Sequence, residues 1–257
     1  MEKKILAIHL GEKKVILRFE DEKLSIHPNT YTELRLYPNK VLSDEDFKEI
    51  KYLDELDDHL NYAKKLLAKA PKSEADIKER LIKRGANKKQ TKAVIESLKK
   101  YHLLDDGAYL SELLELYEYK CYGKNKIIES LKKKGVSSDM IASLHFSEKK
   151  EYDKASKVLP SCEKKFSKYN FASKKEHAYA YLLRYGFDME VARATVELLK
   201  PGDYKYEIEK LEKDYKATYI RYMRKYRKEE IHEKVTNYLL GKGYRYNDIK
   251  KVRGKIK

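Results

Sequence analysis

The sequence predicts a mainly α-helical fold, built of tandem three-helix modules in an elongated array behind a small N-terminal β domain. Three observations carry that prediction. A helix–glycine–helix phrase occurs four times, as "IKERLIKRGANKKQT", "KIIESLKKKGVSSDMI", "YAYLLRYGFDMEVA" and "TNYLLGKGYRYNDI". Its glycines stand at 85, 135, 186 and 243, at intervals of 50, 51 and 57 residues, which leaves room for one further helix per unit. Charged residues make up 39% of the chain against 10 Gly and 5 Pro, a balance that favours long solvated helices over one large core.

The first fifty residues have a different period. Val15, Leu17 and Phe19 alternate with Lys14, Ile16 and Arg18, the period of two that marks half-buried strands. Gly11-Glu12 and Glu20-Asp21 sit where turns would join them, and "TELRLYP" is predicted to add a strand. Ser43 then caps a helix, with Asp46 three residues on as a short capping-box partner. The boundaries that follow are 1–52 for the β domain and 53–104, 105–147, 148–202 and 203–257 for modules 1 to 4.

Each module repeats one grammar. In the first, Ser73 caps with Asp76 at the third helical position, and Ile77 and Leu81 stack four apart. Gly85 supplies the left-handed residue that ends the helix, and Asn87 caps the next, whose apolar stripe is Val94, Leu98 and Tyr101. Asp105 and Asp106 open a helix carrying Tyr109, Leu110, Leu113, Leu114 and Tyr117. In that position, capping is a better reading of the two carboxylates than a metal site. The second copy buries Ile127, Ile128 and Leu131, turns at Gly135, caps at Ser137 or Ser138 and continues with Met140, Ile141 and Leu144. The third reads Tyr179, Leu182, Leu183, Gly186, Asp188 as cap, then Val191, Ala194 and Leu198. The fourth reads Ile231, Val235, Leu239, Gly243, then Tyr244 and Ile249. Helix–glycine–helix turns of this kind serve packing in repeat proteins, so they do not by themselves imply sequence-specific DNA reading.

Net charge is +16 and uneven: residues 1–60 hold 10 Lys/Arg against 14 Asp/Glu, residues 61–147 hold 19 against 11, and residues 148–257 hold 29 against 17. An acidic head on a basic body points to a polyanionic or acidic partner for the body. Cys121 and Cys162 are far apart, as reduced thiols in a cytoplasmic protein would be. No apolar run approaches the roughly 18 residues that cross a bilayer, and the N-terminal apolar stretch is too short for a signal peptide. A soluble, cytoplasmic monomer is expected.

No catalytic constellation emerges. "YGKNKI" and "LLGKGY" lack the phosphate-loop spacing, and the seven His are scattered without metal-ligand pairs. No enzyme activity, metal or cofactor is predicted. The candidate contact residues are instead basic side chains opposite the apolar stripes and at the turns. They are Lys78, Arg80, Lys83 and Arg84 in the first module and Lys124, Lys126, Lys132, Lys133 and Lys134 in the second, with Arg184, Lys242 and Arg245 in the later ones. A solvated helical face is the competing reading for each. Tyr185 and Tyr244, beside turn glycines, are candidates for base stacking, with packing the stronger reading.

Taken in order, these segments resemble the RecX family, the bacterial regulators of the RecA recombinase, in a long form with an N-terminal extension. "PNKVLSDEDFKEI" looks like the extension's exit into helix, and "AKKLLAKAPKSEADIKERLIKRG" is similar to the first-module signature. "LKKYHLLDDGAYLSELLE" is similar to a leucine–aspartate–aspartate…tyrosine junction carried here by Leu104, Asp105, Asp106 and Tyr109. "YGKNKIIESLKKKGVSSDMI" and "KEHAYAYLLRYGFDMEVARATVELL" match the second and third modules. Departures stand at the first proline turn, Ala70-Pro71-Lys72, where the family has arginines, and at Gly123-Lys124, where it has Gly-Pro. At the proline turn Lys72 keeps the charge without arginine's planar fork.

The resemblance implies a non-catalytic protein that binds the RecA–DNA filament and restrains its ATPase, strand exchange and co-protease activities, with single- or double-stranded DNA as a further partner. Two other readings stay open: a helical-repeat protein acting on nucleic acid alone, and a scaffold for an unrelated protein.

Overall fold

The computed structural model describes residues 2–255. Short strands β1 (Lys3–Lys4), β2 (Ala7–Leu10), β3 (Val15–Arg18) and β4 (Lys23–Ile26) lead into α1 (Pro28–Glu33), then β5 (Val41–Leu42). β2, β3 and β4 form an antiparallel sheet in sequence order, and β1 pairs separately with β5. Val15, Leu17 and Phe19 are buried, as the alternation required, over a small core completed by Ile5, Ile26, Leu36, Leu42 and Ile50. The segment "TELRLYP" is not a strand. Pro28 occupies the first turn of α1, where its missing N–H costs nothing, and Arg35 and Asn39 adopt left-handed backbone that turns the chain toward β5.

Among the described residues, twelve further helices follow. Module 1 holds α2 (Asp44–Leu67), α3 (Glu74–Lys83) and α4 (Lys88–Lys100), and module 2 holds α5 (Asp106–Tyr119), α6 (Lys124–Lys133) and α7 (Ser138–Ala142). Module 3 holds α8 (Glu148–Lys165), α9 (Phe171–Arg184) and α10 (Met189–Val196), and module 4 holds α11 (Tyr204–Met223), α12 (Lys228–Gly241) and α13 (Tyr246–Lys255). Ser43 and Asp46 form a reciprocal capping box at α2, and Ser73 and Asn87 cap α3 and α4 as read from the sequence. The boundary placed at residue 52 falls inside α2, one continuous helix that contributes Ile50 to the β core and Ala63 to the core of the first module.

Spatially the chain forms two compact units, one built from the chain up to Leu113 with Leu131–Ser138, the other from Leu114–Ser130 with the chain from Asp139 onward. In the first, Ala63, Ile77, Leu81, Val94, Ile95 and Leu98 pack together under α2, α3 and α4. In the second, module 3 closes on Leu159, Cys162, Leu182, Phe187 and Val196, and module 4 on Leu211, Tyr215, Val235, Leu239 and Ile249. Burying a side chain of this size is worth about 1.5–3 kcal/mol.

Two apolar stripes differ from expectation. Tyr101 is 60% exposed and Leu198 48% exposed, and Ala194 is exposed as well. Tyr101 ends α4 as its C-cap, past the last turn that faces the core. In α10 the buried set is Val191, Ala192, Thr195 and Val196, one residue out of the predicted register. Thr195 enters the core because its hydroxyl donates to the Val191 carbonyl at 2.7 Å.

Candidate partner-binding surfaces

All four phrase glycines have left-handed backbone, with φ of +96° at Gly85, +76° at Gly135, +92° at Gly186 and +85° at Gly243. This is the region glycine enters without steric cost. Three of these turns do more than end a helix. The Ser73 hydroxyl, at the start of α3, donates to the Lys134 carbonyl at 2.8 Å. The Gly123 and Asn125 amides, at the start of α6, donate to the Tyr185 and Gly186 carbonyls at 2.8 and 3.0 Å. The Asn170 side-chain amide and the Ser173 hydroxyl, at the start of α9, donate to the Lys242 carbonyl at 2.9 and 3.1 Å. In each case the first turn of one module's second helix meets the glycine turn of the next module, pairing spare N–H and cap groups with spare carbonyls. The fit is close: a Cβ on Gly186 would lie 2.4 Å from the Lys126 backbone nitrogen, and one on Gly123 2.3 Å from the Gly186 carbonyl carbon.

These turns, which the sequence pattern places within modules, also lock adjacent modules. A signal was there in the small or capping residues that open each second helix: Ser73 and Ala75, Gly123 and Asn125, Asn170 and Ala172. Asp106 was read as a cap for its own helix, yet it accepts from the Glu74 amide at 2.8 Å and so caps α3 from outside, while Asp105 caps α5 by accepting from Gly107 and Ala108.

The candidate cations divide by what they already touch. In module 1, Lys78, Arg80 and Lys83 form ion pairs along α3 with Glu74, Asp76 and Glu79. Arg84 pairs with Asp58 at 2.8 Å and lies 4.6 Å above the Tyr62 ring. In module 2, Lys124 pairs with Asp188, whose carboxyl is held below its ordinary range by that hydrogen bond and a second one from Asn125. The Lys126 ammonium sits between the Tyr122 and Tyr185 rings, 4.1 and 5.0 Å from their centroids. Lys242 pairs with Asp214 at 3.1 Å, and Arg184 lies 6.0 Å from the Tyr181 ring.

Lys132, Lys134 and Arg245 are exposed and, among the described residues, have no carboxylate partner; Lys133 shares the exposed end of α6 with the first two. Tyr185 and Tyr244 are packing residues. Tyr185 meets Tyr122 edge-on at 5.6 Å. The Tyr244 hydroxyl donates to Asp214 at 3.1 Å, and burial together with that carboxylate pushes its pKa up.

Among the described residues, no group of three or more His, Cys, Asp or Glu could hold a metal ion, and no helix is long and apolar enough to cross a membrane. The surface is therefore one of ion pairs, stacked cations and a few uncommitted lysines and arginines on a tandem helical repeat. That combination defines a structural class, tandem helical-repeat proteins.

The comparisons narrow the class. A regulatory protein RecX from Clostridium perfringens is 30% identical over 176 residues, covering 65% of this chain and 80% of its own. One from Streptococcus mutans is 24% identical over 254 residues, covering 96% of this chain and 97% of its own. A crystal structure of regulatory protein RecX superposes with a TM-score of 0.63 at 16% identity, over 76% of this chain and 99% of that one, which independently supports the helical-repeat fold. No family model matches the chain. On the strength of these relatives, the chain belongs to the RecX family.

Proposed function

We propose that this chain binds the RecA–DNA filament without catalysis and restrains its ATPase, strand exchange and co-protease activities, so regulating recombination and DNA repair. The observation that carries the reading is similarity to a protein named as a regulator along 96% of this chain. The structure supplies a means. Modules joined by hydrogen bonds to the carbonyls of their glycine turns present many individually weak contacts whose effects combine as avidity. The uncommitted cations favour approach to a nucleoprotein polyanion and make binding salt-sensitive.

The contact residues proposed are Lys132, Lys134, Arg184 and Arg245, ahead of Lys78, Arg80 and Lys83, whose charges are already paired within α3; Lys133 joins them only for its place at the exposed end of α6. Titrating the protein into DNA-dependent ATP hydrolysis by its cognate recombinase at moderate salt tests the reading. Substoichiometric protein slows hydrolysis if it is right, and no slowing at any ratio overturns it. Equal affinity for naked and filament-coated DNA would instead favour action on nucleic acid alone.

A further inference from the structure

The turn at Gly85 has the backbone of the other three and none of their partners. No atom lies within 4 Å of the position a Cβ would take there. Among the described residues, no hydrogen bond reaches the Arg84 carbonyl, the counterpart of the Lys134, Tyr185 and Lys242 carbonyls. One turn upstream, Ile82 is 58% exposed. The Arg84 side chain also helps line a cavity of about 830 Å³ between the β domain and α2, together with Lys13, Lys14, Lys64 and Lys65. Only Glu12 and Asp58 oppose those charges within the lining, on a stretch of chain that is otherwise acidic.

The three internal junctions show what chemistry such a turn accepts. A helix start donates to the carbonyl before the glycine or to that of the glycine itself. At two of them a small side chain faces the glycine: Ala75 Cβ lies 3.2 Å from the Cβ position of Gly135, and Ala172 Cβ 2.4 Å from that of Gly243. At the first junction the helix start is also acidic, with Glu74 and Asp76 in the first turn of α3, and it meets a turn preceded by Lys132, Lys133 and Lys134.

We propose that the Gly85 turn is a docking site for a helix start supplied by a partner protein. Its ligand is a first helical turn with a Ser, Asn or Gly cap, a small residue at the second position, and carboxylates directed at the lysines of the adjoining cavity. A second copy of this chain is a poor ligand, because the exposed start of α12 reads Arg227-Lys228-Glu229-Glu230, with neither a short cap nor a small second residue. Nucleic-acid phosphates would satisfy the lysines but bring no donor for the Arg84 carbonyl.

The chain itself provides a probe: residues 71–85 as a peptide, held helical by a side-chain cross-link beyond its first turn. Titrated into the isotope-labelled full chain, it shifts the amide resonances of Arg84, Gly85 and Ala86 and leaves those of Gly135, Gly186 and Gly243 in place. The same peptide carrying Ala75→Leu binds about tenfold more weakly, and so does the native peptide to a Lys64→Glu/Lys65→Glu protein of unchanged melting temperature. The proposal is overturned if millimolar peptide moves none of the three amides, if the Ala75→Leu peptide binds equally well, or if an oligonucleotide of equal charge shifts them and the peptide does not. No recombinase enters this titration, so its failure and the failure of the filament reading are separate results.

Discussion

Gly85 and Gly186 share a backbone conformation and differ in everything around it. Gly186 is pressed against the start of α6, with its carbonyl bonded to Asn125 and Lys126 filling the space a side chain would need. Gly85 ends α3 in open surroundings. The glycine in the repeated phrase therefore answers two separate demands, a left-handed residue in every copy and a surface without a side chain in three of them.

Substitutions separate those demands. Gly186→Ala carries both the left-handed strain and a backbone clash, and is expected to cost ~4 kcal/mol or to prevent module 3 from seating, read by thermal or denaturant unfolding. Ser73→Ala removes the cap on the Asp76 amide and the donor to Lys134 together, and should cost ~2 kcal/mol. Gly85→Ala retains only the strain, about 1 kcal/mol, with no loss of packing. A Gly85→Ala cost equal to that of Gly186→Ala would show that the close contacts contribute nothing.

Charge sharpens the contrast at lower amplitude. Reversal of Lys132, Lys133 and Lys134 to Glu should weaken inhibition of the recombinase ATPase by roughly tenfold or more and flatten its salt dependence. Reversal of Lys78, Arg80 and Lys83 should change inhibition less and stability more, since it places like charges four residues apart on α3. If the first triple change leaves inhibition untouched, the end of α6 is solvated surface.

The smallest effect concerns pH. Asp188 is depressed below its ordinary value of 3.8 in the folded chain by Lys124 and Asn125. Its contribution is thus fully present above that value and is lost as pH falls through the lower folded pKa. Lys124→Met should shrink this acid-side loss, and because both groups are more than a third exposed the change stays well under 1 kcal/mol.

Much of this fold is local and was therefore legible. The caps at Ser43, Ser73 and Asn87, the glycine turns and the alternation of Val15, Leu17 and Phe19 follow from interactions within a few residues. What escaped depends on distant partners. "TELRLYP" has strand-like composition, but the Thr30 amide and hydroxyl bond Asp57 at 3.0 and 2.8 Å and the His27 amide bonds Asp54 at 2.6 Å, fixing the start of α1 against α2. The register of α10 slipped because Thr195 counts as polar until its hydroxyl finds the backbone one turn back. Sequence position alone marks the candidate cations, and position does not reveal that Glu74 or Asp188 has already claimed one.

The unbroken run of α2 through residue 52 has a practical corollary. Proteases open domains where the chain between them can be drawn out straight, and a helix whose two ends are anchored in different cores offers no such stretch. Limited digestion should therefore spare this connection while it nicks exposed loops elsewhere, and shortened versions of the protein that begin within α2 would inherit an apolar stump at Phe47 and Ile50 instead of a clean end.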